Sequence, residues 1–496
     1  VKKEVKTSFK EVSSNYGIEY VHKEKKLNDF AFQPLLLRKV SENGPAIAVG
    51  DMNGDQLEDF IVGNSFGDSP TLFFQTADSK FIIKKLFDSQ TMSDNETESM
   101  VLFDLENDGD LDLYLVSGGG YYNKEKTNLE DRLFINDGLG FFTMKSLENP
   151  INTNGSVVVK NDFDNDGFVD LFVGARNIPG QYPLADKSYL IKNNKGILDA
   201  QEAQFIEAFK DLQMVSDAKW IDIDGDKDED LVIVGEFSPI QIFINEDGRF
   251  SKLENKVLNN TSGLWRCVES FDRDGDGDLD LLVGNIGRNN AYNINSETPM
   301  ELYVKDIDDN GVVDPVVFTY QKNEDNQIKQ YPIHFWNTMN QQSPFFRQKF
   351  STYKEFSKTT KEKYLEDQVF KNVKIYSVNE DQSIFIENLG EGEFRYTALP
   401  KEAQLAPVNA IYSEEKAHLG QRLFLVGNDF GGNPFEGNDD AFNGLVIDGE
   451  QFQSNQFSGF RVDGVGSDIK KIKLSNGKKL VLVTQNQSRL LAFELN

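Results

Sequence analysis

Six short stretches of the chain alternate oxygen-bearing side chains in one phase, the spacing that a hard cation needs. Each carries an acid or an asparagine at positions 1, 3 and 5 and an aspartate at position 9. They are Asp51, Asn53, Asp55 and Asp59; Asp104, Glu106, Asp108 and Asp112; Asp162, Asp164, Asp166 and Asp170; Asp222, Asp224, Asp226 and Asp230; Asp272, Asp274, Asp276 and Asp280; and Asp306, Asp308, Asn310 and Asp314. In a tight turn every second side chain points inward, so these groups, with a backbone carbonyl near position 7, can wrap one ion. Calcium is the natural occupant, in about five or six copies. Zinc is disfavoured because the loops hold no His or Cys and the chain has three histidines in all, His22, His334 and His418. Magnesium keeps more of its water and takes fewer carboxylates. Asp, Asn and Gly also make good turns without a metal, but crowded carboxylates repel one another without a cation, and the pattern recurs six times. The third and fifth copies are the most complete, while Asn53 and Asn310 replace a carboxylate by an amide.

Strands must hold these loops. Each of the first five is followed by a short apolar run ending in a small residue, as in Phe60–Gly63, Leu171–Gly174 and Leu281–Gly284, and preceded by another, such as Ala46–Val49 or Met100–Phe103. Such runs, bounded by Gly, read as buried strands. A third strand with its turn often follows, as in Arg132–Asn136 before Asp137 and Gly138. Successive loops start 53, 58, 60 and 50 residues apart, the length of a four-stranded propeller blade. The sixth starts only 34 residues after the fifth, so Asp306 to Asp314 is expected as a second loop within the fifth blade, between outer strands. Ser383–Asn388 and Leu423–Gly427 are expected to supply blades six and seven, and Leu480–Thr484 with Leu490–Phe493 to close the ring. The predicted fold is all-β: a seven-bladed β-propeller with calcium-binding blade loops and a partly helical insertion. Residues 1–20 read as a tether and first strand, and 21–496 as one propeller interrupted at about 321–370. In the insertion Ser343-Pro344 looks like an N-cap with proline at the first helical position, placing Phe346, Phe350 and Tyr353 on one helical face.

The formal charge of −29, from 81 acids and 52 bases, disfavours nucleic acid and anionic lipid as partners. Aromatic content of 12% argues for a folded chain. The ligand positions of the loops account for 22 of the acids, so metal ligation explains much of the acidity. Cys267 is the only cysteine, which excludes an intramolecular disulfide framework, and no run of about 18 apolar residues is present to span a membrane. The polar opening Val1–Thr7 suits a tether after a removed signal or a lipid-modified cysteine.

The acidic loop followed by a β run and Gly resembles the FG-GAP, or VCBS, repeat of integrin-α-type propellers. Gly44–Asp51, Ser188–Asn193, Gly235–Ile240, Gly284–Asn289 and Leu399–Gln404 look like phrases of the propeller region in the UnbV/ASPIC and cartilage-acidic-protein group. That resemblance implies an exported calcium-binding surface protein, often a lipoprotein. The separate C-terminal domain of longer members is not expected here.

No Gly-x-Ser-x-Gly elbow, Walker loop or His-Glu-x-x-His sequence occurs. His334, among aromatics, reads as a packed histidine, and Cys267 as a core residue. The chain therefore reads as a protein- or glycan-binding scaffold at an extracellular or outer-membrane surface, or an accessory subunit of an outer-membrane transporter complex, and not as an enzyme. The alternative is a polysaccharide lyase or glycosidase, for which Arg176, Tyr182, Arg288 and His334 are the candidates. Binding is expected at the long Gly/Asn-rich loop Gly427–Asn438 and at the aromatic insertion Trp336–Phe356.

Overall fold

The computed structural model describes residues 7–87, 95–120, 129–416, 420–433, 437–449 and 451–495. Residues 1–6 of the expected tether and 434–436 of the Gly/Asn-rich loop lie outside them. The repeat builds a four-stranded antiparallel sheet. In the first copy Ile47–Gly50 pairs with Asp59–Val62, then Thr71–Gln75, then Phe81–Lys85. After its opening Asp the second strand is mostly apolar in the first blades because it is covered on both faces: Asp59–Val62, Asp112–Gly118 and Asp170–Ala175 are buried along their whole length. The fourth strands face solvent, and Lys84 and Lys85 on Phe81–Lys85 oppose pairing with another chain's edge.

Seven such sheets stand in a ring. Their first strands, Ile47–Gly50, Glu96–Phe103, Gly155–Asn161, Val215–Ile221, Cys267–Phe271, Val408–Lys416 and Val465–Lys473, each touch the next, and the last touches the first. The core is correspondingly divided: one apolar cluster fills each gap between neighbouring sheets, such as Ile61, Leu72 and Leu102 between the first two and Val426, Phe460 and Val481 between the last two. The seventh sheet is completed by the N-terminal strand Lys10–Glu11, which pairs with Leu491–Leu495 and so ties the two ends of the chain together.

The later blades differ from the sequence expectation. After Asp280–Gly284 the chain leaves the fifth sheet and returns as Ile384–Asn388 and Phe394–Ala398. Ser383–Asn388 thus belongs to the fifth blade; the Leu423 unit forms the sixth and the C-terminal strands the seventh. Between them Met300–Lys305, Asp314–Lys322, Ile328–Pro332 and Lys374–Val378 make an eighth sheet of their own. The interruption is wider than 321–370, and the sixth acidic loop joins two strands of this inserted sheet. Ser343 does cap the helix Pro344–Lys349, accepting the Phe345 N–H at 3.3 Å. That helix ends before Phe350, however. Phe346 and Phe350 are buried, whereas Tyr353 opens the next helix and is 56% exposed; the extended backbone of Phe350 and Thr352 between the two helices destroys the single face that the spacing suggested.

Candidate metal centres and the channel mouth

The acidic loops share one backbone path, with left-handed residues at positions 4 and 6. Position 4 is Gly54, Asn107, Asn165, Gly225, Gly275 or Asp309, and position 6 is Gln56, Gly109, Gly167, Lys227, Gly277 or Gly311, all at positive φ. Glycine and asparagine tolerate that region at little cost, which explains their frequency there. The position-1 carboxylate caps the turn: Asp162 accepts the Asp166 and Gly167 N–H groups at 3.0 and 2.8 Å, and Asp306 those of Asn310 and Gly311 at 3.0 and 2.7 Å.

Position 9 is a pin as well as a candidate ligand. Asp170 is buried and accepts the Phe163 N–H at 3.2 Å and the Asn193 N–H at 2.7 Å, locking its loop to the third strand. Asp59, Asp112, Asp230 and Asp280 make the same pair of bonds. The third-strand residue then reaches into the preceding blade. The side-chain amides of Asn136, Asn193, Asn245 and Asn388 donate to the carbonyls of Met52, Leu105, Phe163 and Ile223 at 2.8–2.9 Å. Gln75 makes the equivalent bond to Lys473, across the point where the ring closes. This latch was not foreseen from the sequence, although an Asn or Gln at or next to the end of the third strand in the first five blades was its visible trace. Asn193→Ala would leave the buried Leu105 carbonyl unpaired and cost about 1–3 kcal/mol; the expected result is a lower urea midpoint with an unchanged m-value.

Several aspartate clusters can hold a metal. Asp162, Asp164 and Asp170 bring carboxylate oxygens within 4.8 Å of one another, as do Asp222, Asp224 and Asp226, Asp272, Asp274 and Asp276, and Asp306, Asp308 and Asp314. The first two loops do not gather three carboxylates in this way; Asp51 spends its oxygens on the N–H groups of Asn53, Gly54 and Gln56. In the second loop the Glu106 carboxyl meets that of Asp112, and Asp110, at position 7, that of Asp108. The donor set suits a hard cation: every side-chain ligand is an oxygen, and the buried Oδ1 atoms of Asp164 and Asp308 have no hydrogen-bond partner. Burial raises the carboxyls of Asp59, Asp170 and Asp230 to about 7 and those of Asp112 and Asp314 to about 6. In the third loop Lys192 lies on Asp164 and Asp166, an ammonium that competes with a cation there.

On the opposite face, where second strands end and first strands begin, charged side chains gather around the mouth of the central channel. Arg38 pairs with Glu236 at 3.0 Å and Asp429 at 3.7 Å, Arg266 with Asp429 at 3.0 Å, and Tyr182 donates to Glu236 at 2.8 Å. Burial alone would raise the Glu236 carboxyl, but Arg38 and Arg266 hold it down to about 2. These groups form one wall of a cavity of about 600 Å³, closed by Asn289, Asn290, Tyr292, Gln321 and Phe335 from the inserted segment and by Gly432, Gly437 and Asp439. Below it the channel, about 290 Å³, is lined by residues of all seven first strands, among them Asp217, Lys219 and Lys470.

Of the sequence candidates, Arg176 and Tyr182 lie at this mouth. Arg288 is instead paired with Asp381 at 2.9 Å, and His334 is buried in the inserted sheet, where Nε2 accepts the Val317 N–H at 3.4 Å and burial lowers its pKa to about 4. Cys267 is buried with its thiol pKa raised by that burial, Sγ facing the Val408 carbonyl. The Gly427–Asn438 loop contributes Asp429, Gly432 and Gly437 to the cavity. Phe346 and Phe350, by contrast, form the insertion's own core, and the cavity takes Pro332, Ile333 and Phe335 instead. Arg38, Glu236, Arg266 and Asp429 were missed, since single charged residues flanking strands carry no pattern.

A protein-family model described as an FG-GAP-like repeat matches residues 51–115 and 222–283, which contain the first, second, fourth and fifth acidic loops. It does not separate the UnbV/ASPIC group from other bearers of the repeat. No curated protein matches the chain. Similar solved structures include BBS1N in complex with ARL6DN (8% identity, 97% of this chain and 98% of that chain, TM-score 0.41). The V. cholerae biofilm matrix protein Bap1 (10%, 96% and 91%, TM-score 0.37) and Saccharomyces cerevisiae Sqt1 (11%, 92% and 99%, TM-score 0.41) are others. Superposition at that level has no bearing on function. The ring of four-stranded sheets and the loops covered by the family match make this chain a β-propeller built on FG-GAP-like repeats.

Proposed function

We propose that the chain is an exported, calcium-binding scaffold whose channel-mouth cavity holds a protein or glycan ligand at an extracellular or outer-membrane surface. The observation that carries this reading is the cavity itself. It lies where the N-terminal segment, the inserted sheet and the sixth-blade loop meet, on a rigid ring, and presents fixed charges beside Tyr182, Tyr292 and Phe335. Concave sites with an aromatic and apolar lining and a few placed polar groups are where ligands are taken up. Calcium is the cation suited to the loops on the other face, and sites of extracellular modules work at millimolar calcium. The charge of −29 fits a surface kept apart from anionic polymers, and among the described residues no helix is long and apolar enough to cross a membrane. A place beside an outer-membrane transporter, with a lipid anchor, is the most specific form of the proposal.

The test is binding of the calcium-loaded full chain to a glycan array and to membrane proteins that co-purify with it. Phe335→Ala combined with Gln321→Ala should weaken retention of a bound glycan or partner at least tenfold while leaving bound calcium unchanged. Unaltered retention would remove the cavity from the reading. Turnover of a polysaccharide would replace the scaffold by the lyase or glycosidase alternative.

A further inference from the structure

Four glutamates outside the repeat loops are buried together at the channel mouth. Glu24 and Glu42 come from the N-terminal segment, Glu96 and Glu98 from the start of the second blade's first strand. Their side chains are 2% exposed for Glu24, 9% for Glu42 and 2% for Glu98, and Glu96 is 5% exposed as a residue. The Asn486 amide ties Glu24 to the Gly44 carbonyl, at 3.0 and 2.9 Å, and the Gln487 side chain donates to Glu42 at 3.1 Å.

Three cations, Lys39, Arg38 and Arg176, face the four carboxylates, and Arg38 is shared with Glu236 and Asp429. Lys39 pairs with Glu42 at 2.6 Å, and Arg176 stands 3.9 Å from Glu98. The nearest basic side chain to Glu24 is His22, 3.5 Å away, which is neutral because burial lowers its pKa to about 4; the Lys39 ammonium acts on Glu24 without an ion-pair contact. Among the described residues Glu96 has no cationic partner. The Oε1 atoms of Glu96 and Glu98 are buried without any hydrogen bond, a state that costs several kcal/mol per ionised group unless a counter-charge is supplied.

We infer that Glu24, Glu42, Glu96 and Glu98 bind a hard divalent cation, calcium first, at a site separate from the repeat loops. The strand Glu96–Phe103 leads from these glutamates to the second acidic loop, so the two kinds of site lie about 25 Å apart on opposite faces. The donors are carboxylate oxygens, the ligand type of calcium. Their oxygens are not gathered as closely as in the loop clusters, and binding draws the side chains inward; the unpartnered oxygens of Glu96 and Glu98 give up no hydrogen bond in doing so. Burial, with repulsion from neighbouring carboxylates, raises the carboxyls of Glu24 and Glu96, and burial raises that of Glu98 against the pull of Arg176 and Arg38, the response of a group that gains from a cation. Occupancy clamps the N-terminal segment, which also carries Arg38, onto the second blade and so shapes the cavity wall.

This inference does not rest on the loops binding calcium. Crystals of the full chain grown with calcium, measured for anomalous scattering, should show a peak among the four glutamates. The isosteric Glu96→Gln variant should lose that peak, keep any peaks at the loops, and bind one calcium fewer per chain in equilibrium dialysis. Peaks at the loops with none among the glutamates, or an unchanged count in Glu96→Gln, would overturn the inference. A glutamate peak with bare loops would uphold it while removing the loop reading. Should Glu96→Gln fail to fold, the wild-type map decides alone.

Discussion

Stripping calcium with EDTA is expected to lower the melting temperature by on the order of 10–20 °C relative to millimolar calcium. Four loops gather three carboxylates each within 4.8 Å, and without an ion their repulsion acts against the folded state alone. Each site occupied at about a hundredfold excess over its dissociation constant contributes roughly 2.7 kcal/mol, and in a chain of this length each kcal/mol moves the midpoint by only about 1–2 °C, below the range for smaller domains. Because the core is divided into clusters between neighbouring blades, Asp276→Ala should remove one ion and part of this shift without unfolding the ring. Superimposable melts with chelator and with calcium would end the metal reading of the loops.

Glu236→Ala is expected to destabilise the chain by about 3–5 kcal/mol, the cost of breaking a buried pair from one side. It strands Arg38, which then keeps Asp429 at 3.7 Å as its ion pair and the neutral Asn43 Oδ1 at 3.1 Å, and leaves the buried Tyr182 hydroxyl without its acceptor. The pH dependence separates charge from packing. The folded-state pKa of Glu236, about 2, lies below its usual 4.5, so its contribution is full above about pH 4.5 and is lost as the pH falls towards 2. The stability gap between the wild type and Glu236→Gln, read from denaturant midpoints, should therefore narrow from pH 5 to pH 3. A gap that stayed constant would mean that the carboxylate charge has no part in it.

The acidic loops were legible because their signal is local. Positions 1, 3, 5 and 9, the left-handed residues between them and the apolar run that follows all lie within one hairpin, and the six copies repeat its phase. The number of residues per blade could be read in the same way, as far as the fifth loop. It failed where the second and third strands of one sheet, Asp280–Gly284 and Ile384–Asn388, are separated by the inserted sheet, because a spacing rule assumes that neighbours in the sheet are neighbours in the chain.

What the residues determined alone is the strand, acidic loop, strand unit and its oxygen donors. Tertiary structure decided which residues face one another across the ring. Arg38, Glu236, Arg266 and Asp429 come from four separate segments and meet only because the ring closes. The same closure brings Glu24 and Glu42 against Glu96 and Glu98, and carries each third-strand Asn or Gln to the blade before it. Periodicity reports how one segment is buried; it cannot report the charge of a side chain arriving from a distant blade, and that charge sets the chemistry of the channel mouth.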